Sequence, residues 1–376
     1  MSLEIRQVRS RRDRHRFVDV PFRLHRADPR WVPPLRLADL DRISPKHPAA
    51  GHQETALWIA RRDGEPVGRI SACVDRLFDE FQDLRWAWVG FFAAQDDPEL
   101  ARALFETAWE WSEARGAHEA VGPASFTTND EVGLLVDGYD EPTMILTTWN
   151  PSYYVRLWAE GGWEHATDLW GWRFDRSVSM SDRQRRVLQR LRERSGLRVR
   201  DGDIKDFDAE VGRFFEVYRS AWERNWGFAP MTEPEVRHLA KDLKRIIDPR
   251  FVLFAEDEAT GEVVGGALVL PDANEAMQEH VRSGRLLPMG WRHLLGLAKR
   301  TRGIRIVALG VKQVHQARAV GPLLYAEIIE RGVGTARLDR CEASWVLADN
   351  DRMNKPIEDM GAWHSKTWRM YRRALV

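Results

Sequence analysis

The stretch KQVHQARAVGPLLY, Lys312–Tyr325, carries the residues of this chain best placed to grip an anion. The β-branched run Arg305–Val311 precedes it and reads as a buried strand. Pro322–Glu330 follows with apolar residues at helical spacing and closes on Arg331-Gly332, a basic last turn and a glycine stop. A strand, a tight turn and a helix start would aim unpaired backbone N–H groups of Ala317, Arg318, Ala319, Val320 and Gly321 at a phosphate. Arg318 or Lys312 would add charge. Pro322 has no N–H, but that donor is unpaired in a first turn anyway. Only one glycine, Gly321, stands where phosphate-binding turns carry two or three. An ordinary corner capped by Gln316 is therefore the competing reading.

Two further stretches could move protons or hold charge. Glu342 lies in the strand-like run RCEASWVL and shares a face with Ser344 by alternation. A carboxylate facing an apolar pocket has a raised pKa and can accept a proton; pairing with Arg340 or Arg369 is the alternative. The polar loop Ser125–Asp140 contains Asn129, Asp130 and Glu131, which could bind a cationic amine or cap a turn.

The bulk numbers bound these possibilities. The chain has 376 residues, which suits two domains of ordinary size. Lysine plus arginine equal aspartate plus glutamate at 57 each, so no net charge draws it to nucleic acid or an anionic membrane. Cys73 and Cys341 are the only cysteines. They make neither a disulfide framework nor a zinc site, so a metal-free protein of a reducing cytoplasm is expected. No signal peptide is visible, and no apolar run approaches the roughly 20 residues needed to span a bilayer. The 17 tryptophans imply large buried area, and some could wall a pocket.

The positioning elements occur twice, at an offset of about 200 residues. Asn150, Leu157, Gly161, Trp163 and Thr167 answer Asn350, Ile357, Gly361, Trp363 and Thr367. Leu57–Val74 and Phe251–Leu270 both read as hairpins, turning at Asp63-Gly64 and Thr260-Gly261. Trp86–Ala94 matches Arg305–Val311, and the helix pattern Pro98–Gly116 matches the one ending at Gly332. His118–Ser125 matches Arg340–Leu347. The order in each half is strand, helices, hairpin, strand, helix, strand, helix, strands. The expected division is residues 1–174, a charged linking helix within 175–195, and residues 196–376. One large α/β domain with accidental echoes is the alternative.

That order, with Gln316-Ala317-Arg318-Ala319-Val320-Gly321 in register with a Q/R-x-x-G-x-G/A turn, resembles the GNAT acyl-CoA N-acyltransferase fold. Asn350, Met353, Ile357, Gly361 and Ala362 occupy the places of the family's N-x-x-A-x-x-x-Y-x-x-x-G-F helix. The whole chain is similar to large bacterial GNAT-like proteins. The resemblance implies an α/β fold with an α+β mixed sheet, made of two tandem GNAT-like domains. The N-terminal one has diverged. It also implies acetyl-CoA or a longer acyl-CoA as co-substrate and a small-molecule or lipid-like amine as acceptor; bacterial ceramide synthesis is one role it allows. A catalytically degenerate binding protein is the alternative.

The resemblance assigns roles residue by residue. Gln316–Gly321 would anchor pyrophosphate, the strand edge Leu309–Val311 would supply an oxyanion N–H, and Asn350 would sit beside the cofactor. Glu342 would be the base. Ile357 stands where the family often has a proton-donating tyrosine, so Tyr371 is the nearest substitute hydroxyl. Ala221–Thr232, with Asn225 and Trp226, falls where GNAT proteins close over the acceptor. Asn129 and Asp130 would face it from the other half. In the N-terminal half the corresponding turn is AAQDDPELA, whose Asp96, Asp97 and Glu99 would repel pyrophosphate, so a single acyl-CoA site is expected. The roughly 30-residue insert Pro271–Gly303 is longer than such connections need; it could cover a greasy substrate, touch a membrane or pack on the other half.

Overall fold

The computed structural model describes residues 2–175, 182–287 and 290–375. Among them the first half supplies strands β1 (Leu3–Gln7), β2 (Gln53–Arg62), β3 (Glu65–Asp75), β4 (Trp86–Ala94), β5 (Glu119–Gly122), β6 (Leu134–Asp137) and β7 (Glu164–Asp175). The second supplies β8 (Leu197–Asp201), β9 (Val252–Asp257), β10 (Val263–Pro271), β11 (Gly303–Val311), β12 (Arg340–Leu347) and β13 (Trp363–Ala374). The expected hairpins are there. Asp63 and Gly64 both take positive φ (51° and 85°), the pattern of a type I′ turn whose twist suits β2 and β3.

All these strands join one mixed sheet, in the order β1-β2-β3-β4-β5-β13-β7-β12-β11-β10-β9-β8, with β6 on β13. The repeat is thus real in space, but the halves exchange their last strands. β13, from the C-terminal half, pairs with β5, while β7, from the N-terminal half, pairs with β12. β7 and β13 lie antiparallel against each other, with Thr167 opposite Met370 and Thr367 opposite Trp170. The division at residue 174 follows the chain and not the layers: residues 363–374 complete the first half's sheet and 164–175 the second's. Trp368 and Met370 accordingly belong to the first half's core, and Trp172 and Phe174 to the second's. Burial of these rings on the exchanged strands ties the halves together.

The charged linking helix spans Asp182–Arg194, and Arg192 pairs with Glu327 and Glu330 of helix Val320–Val333. Residues 176–181 of the expected linker lie outside the described residues. The insert packs on the other half. Arg282 donates to the carbonyls of Arg26, Asp28 and Trp31, and Gly284 lies against Phe22 and the Pro34 carbonyl, where a Cβ would clash. Leu287, Trp291 and Leu295 of the same insert stay exposed.

Candidate active site

The two copies of the strand-turn-helix corner differ in how they satisfy the helix start. In the first half, Asp97 caps helix Pro98–Glu113 by accepting from the N–H groups of Glu99 and Leu100. Asp96 and Asp97 are further held by Arg156 and Arg62. That corner consumes its own donors, and its carboxylates oppose an anion. In the second half, Ala319 precedes helix Val320–Val333 with φ −72° and gives no side-chain cap. The alanine is therefore unstrained where the family pattern has glycine. Backbone bonds use the N–H groups of Gln316, Arg318 and Val320; those of Ala317, Ala319 and Gly321 are unpaired. A Cβ added at Gly321 would meet nothing within 4 Å, so the approach to the turn is open.

The charges around this turn are arranged differently from the sequence expectation. Arg318 binds Asp257 at 2.6 Å and the Ser195 carbonyl at 3.0 Å, and Lys312 binds Glu262 at 3.0 Å. Arg352, on helix Asp351–Asp359, instead reaches the turn and donates to Gln316 Oε1 at 3.3 Å. Asn350 begins that helix without a side-chain cap bond.

β11 and β12 part beside the turn. They pair only from Gly303–Ile306 to Arg340–Ala343, so the edge at Leu309–Val311 faces no strand on the β12 side. Ala308 and Trp345, on the diverging ends, wall a cleft of about 440 Å³ between the halves. The first half closes the matching gap. Ala124 N donates to the Val89 carbonyl, and a Cβ on Gly90 would sit 1.8 Å from the Ala124 oxygen.

The cleft gathers Asn129, Asp130, Asn225 and Trp226, the four expected acceptor-side residues. Two of them are committed to structure. Asp130 binds Arg42 and accepts from Phe126 N and Thr127 N. Asn129 donates to the Ala229 carbonyl and accepts from Tyr218, which locks the loop of one half to the other. Trp226 packs on Trp86, and Asn225 lines the cleft.

Three carboxylates that line the cleft make no side-chain hydrogen bond, Asp39, Asp242 and the residue next to Asp130. Glu131 makes no side-chain hydrogen bond and turns its exposed surface into the cleft. Burial within the walls, helped by Asp39 and Asp130 and opposed by Arg69 and Arg305, pushes its pKa up to about 7. The sequence placed it in the right loop but could not separate it from Asp130, because only folding shows which acid already has a partner.

The expected catalytic pair lies elsewhere. Glu342 is fully buried, accepts from Ser344 at 2.6 Å and faces Arg173 at 4.0 Å. Arg305 bonds that Ser344 and the carbonyls of Ile145 and Leu146. Nearby Lys366, its pKa lowered by burial, donates to the carbonyls of Gly138 and Glu141. Glu342 thus sits in a buried cationic cluster with Arg173 and Arg305, whereas the expected alternative partners Arg340 and Arg369 pair with Glu275 and Asp168. Tyr371 rides on the exchanged strand into the first half's core, against Trp158 at 5.5 Å. Ile357 is fully buried, so apolar packing occupies the family's acid position.

An ion bridge ties the cleft's rim. His52, from the first half, reaches Asp75 at 2.7 Å and Glu235 of the second half at 3.0 Å. Burial would lower its pKa, but the two carboxylates outweigh that and raise it to about 9. The unfolded value is near 6.5, so the bridge contributes fully below that pH and is lost as pH rises through about 9. Melting temperature should therefore fall more steeply for wild type than for His52→Gln between these pH values; parallel profiles would remove the bridge as a stabiliser. Asp41, His47 and His238 also converge on this rim, with candidate ligand atoms within 4.8 Å of one another, a grouping from distant segments that no sequence spacing revealed.

The architecture is that of a tandem GNAT protein. A tandem GNAT protein from the clavulanic acid biosynthesis pathway superposes over 100% of this chain and 99% of its own, with a TM-score of 0.59 at 13% identity. A GCN5-related N-acetyltransferase from Sphaerobacter thermophilus covers 99% and 96%, with a TM-score of 0.50 at 15% identity. No family model matches the sequence. Whole-chain relatives do: the bacterial ceramide synthase of Caulobacter vibrioides is 38% identical over 99% of this chain and 98% of its own. Protein YghO of Escherichia coli is 30% identical over 99% and 95%. The chain belongs to the family of these two proteins.

Proposed function

We propose that the protein is an acyl-CoA-dependent N-acyltransferase with one acyl-CoA site, in its C-terminal half, and a long-chain, sphingoid-type amine as acceptor. The observation that carries this reading is Glu131, an unpartnered carboxylate in the cleft that Ala308 and Trp345 open from the β11–β12 gap. The turn N–H groups and Arg352 would hold the pyrophosphate, and the free edge at Leu309–Val311 would polarise the thioester carbonyl. Acyl transfer forms an N–C bond and breaks a C–S bond. Glu131 takes the ammonium proton so that the nitrogen lone pair can attack, and the second nitrogen proton is lost to solvent as the tetrahedral intermediate collapses to the amide. The leaving thiolate, with a pKa of about 8.5 for an ordinary thiol, can depart and be protonated by solvent. A dedicated acid is unnecessary, consistent with the buried Ile357.

The lipid-like part rests on shape and kinship. An apolar chamber of about 130 Å³, walled by Phe207, Phe214, Phe215, Val236 and Leu243, lies between helices Phe207–Trp222 and Glu233–Leu243. It shares Phe214, Tyr218, Leu243 and Leu268 with the cleft, so the two adjoin. The name of the Caulobacter relative points to the same class of product. Among the described residues no helix is long and apolar enough to cross a membrane, and we place the reaction in the cytoplasm. The test is thiol release from acetyl-CoA and a long-chain acyl-CoA across short and long-chain amines. Release with long-chain amines is expected. Acyl-CoA binding without release for any amine would favour a degenerate binding protein.

A further inference from the structure

Asp41, His47 and His238 form a group at the rim of the cleft that the transfer reaction does not use. Asp41 comes from helix Arg36–Arg42 and His47 from the turn after it, both in the first half. His238 comes from helix Glu233–Leu243 of the second half. One possible ligand atom from each lies within 4.8 Å of the other two. His238 Nε2 is 2.7 Å from Asp41 Oδ2, and the His47 and His238 rings meet edge to face with centroids 5.1 Å apart. Asp41 is exposed and both histidines are half-buried, so an ion can enter from solvent. Asp242 stands four residues after His238, one turn along the same helix face, and also lines the cleft.

An ion pair between Asp41 and His238 needs no second imidazole. His47 adds a nitrogen that burial, Arg42 and His238 keep from protonating, by lowering its pKa. The neutral imidazole is the form that binds metal. Arg42, the cation that acts on His47, is itself bound by Asp130. Two nitrogens and a carboxylate oxygen suit zinc and its first-row neighbours, whereas calcium and magnesium take oxygen ligands. Bonds of about 2.0–2.1 Å in a tetrahedron set ligand atoms about 3.3 Å apart. The Asp41–His238 contact is shorter than this and the 4.8 Å limit is longer, so side-chain rotations bring the three atoms to that spacing. The Ala49 N–H contact to His47 Nδ1, at 3.3 Å, is given up whichever ring nitrogen binds, because the other then carries the proton.

We propose that Asp41, His47 and His238 are ligands of a divalent transition metal, best matched by Zn²⁺, that clamps helix Glu233–Leu243 to the first half. Asp242 or a water fills the fourth position. That helix walls the cleft with Glu235 and Leu239, and the apolar chamber with Val236, Leu239 and Leu243. Glu235, one turn before His238, already meets His52 of the first half, so the metal is a second tie on the same helix. The site does not depend on the transfer reading, and the metal touches no reacting atom. The expectation of a metal-free protein rested on cysteines and did not count imidazoles that folding brings together.

The test uses the full chain, stripped with EDTA and then freed of chelator, without acyl-CoA or amine. Calorimetric titration with Zn²⁺ should show a single site per chain, and Zn²⁺ should raise the melting temperature while Mg²⁺ does not. His47→Gln and His238→Gln should each weaken Zn²⁺ binding by more than the ~10-fold that losing an outer-shell partner costs. His52→Gln removes a rim imidazole outside the group and should bind Zn²⁺ as wild type does. Amide hydrogen exchange across Glu233–Leu243 should slow with Zn²⁺ in wild type and not in His238→Gln. Absence of stoichiometric binding, an equal response to Mg²⁺, or wild-type affinity in either His47→Gln or His238→Gln would overturn the site. Stoichiometric binding with no slowing of exchange in that helix would overturn the clamp.

Discussion

Glu131→Gln should lower kcat by ~10²–10⁴-fold with KM little changed, the range for losing a positioned general base. The glutamine keeps shape and polarity but cannot take the ammonium proton. Wild-type kcat should also rise with pH up to about 7, because the base must be ionised and burial with Asp39 and Asp130 holds its pKa there against Arg69 and Arg305. The variant should lack that acid limb. Glu342→Gln is the contrasting control: it would leave Arg173, Arg305 and Lys366 under-neutralised in the core, so it should lower the melting temperature rather than reshape the pH profile. A full-speed Glu131→Gln enzyme would remove this residue as the base.

Gly321→Glu should abolish protection by acyl-CoA while leaving the ligand-free melting temperature near wild type. The new side chain enters open space, since nothing lies within 4 Å of the Cβ position, so folding has no clash to absorb. Its carboxylate would occupy the first turn, beside the unpaired N–H groups of Ala317 and Ala319, where a phosphate would go. The second half's corner would then mimic the first, whose Asp97 already satisfies its helix start. A ligand at 100 times its Kd adds ~2.7 kcal/mol of stability, and the variant should show none of it. Unchanged protection would make the turn a plain corner.

Much of this molecule was legible before folding. Asp63-Gly64 and Gly261 announced the hairpins because only a few residue types tolerate positive φ. The duplicated order of elements announced the tandem fold, and the acids at 96 and 97 against Gln316 and Gly321 marked which corner could hold an anion. These are local properties, set by backbone sterics, periodicity and the charge of adjacent residues. What the tertiary structure alone decided is partnership. β7 and β13 have patterns that suit either sheet, and only packing of Trp172 and Trp368 into opposite cores assigns them across the repeat. Glu342 and Glu131 look alike as buried-strand and loop carboxylates. The fold surrounds the first with Ser344, Arg173 and Arg305 and leaves the second facing a cleft. Arg318 is likewise spent on Asp257 while Arg352, a helix away in sequence, stands at the turn. A side chain's availability depends on which distant groups reach it first, and the sequence by itself does not contain that distance.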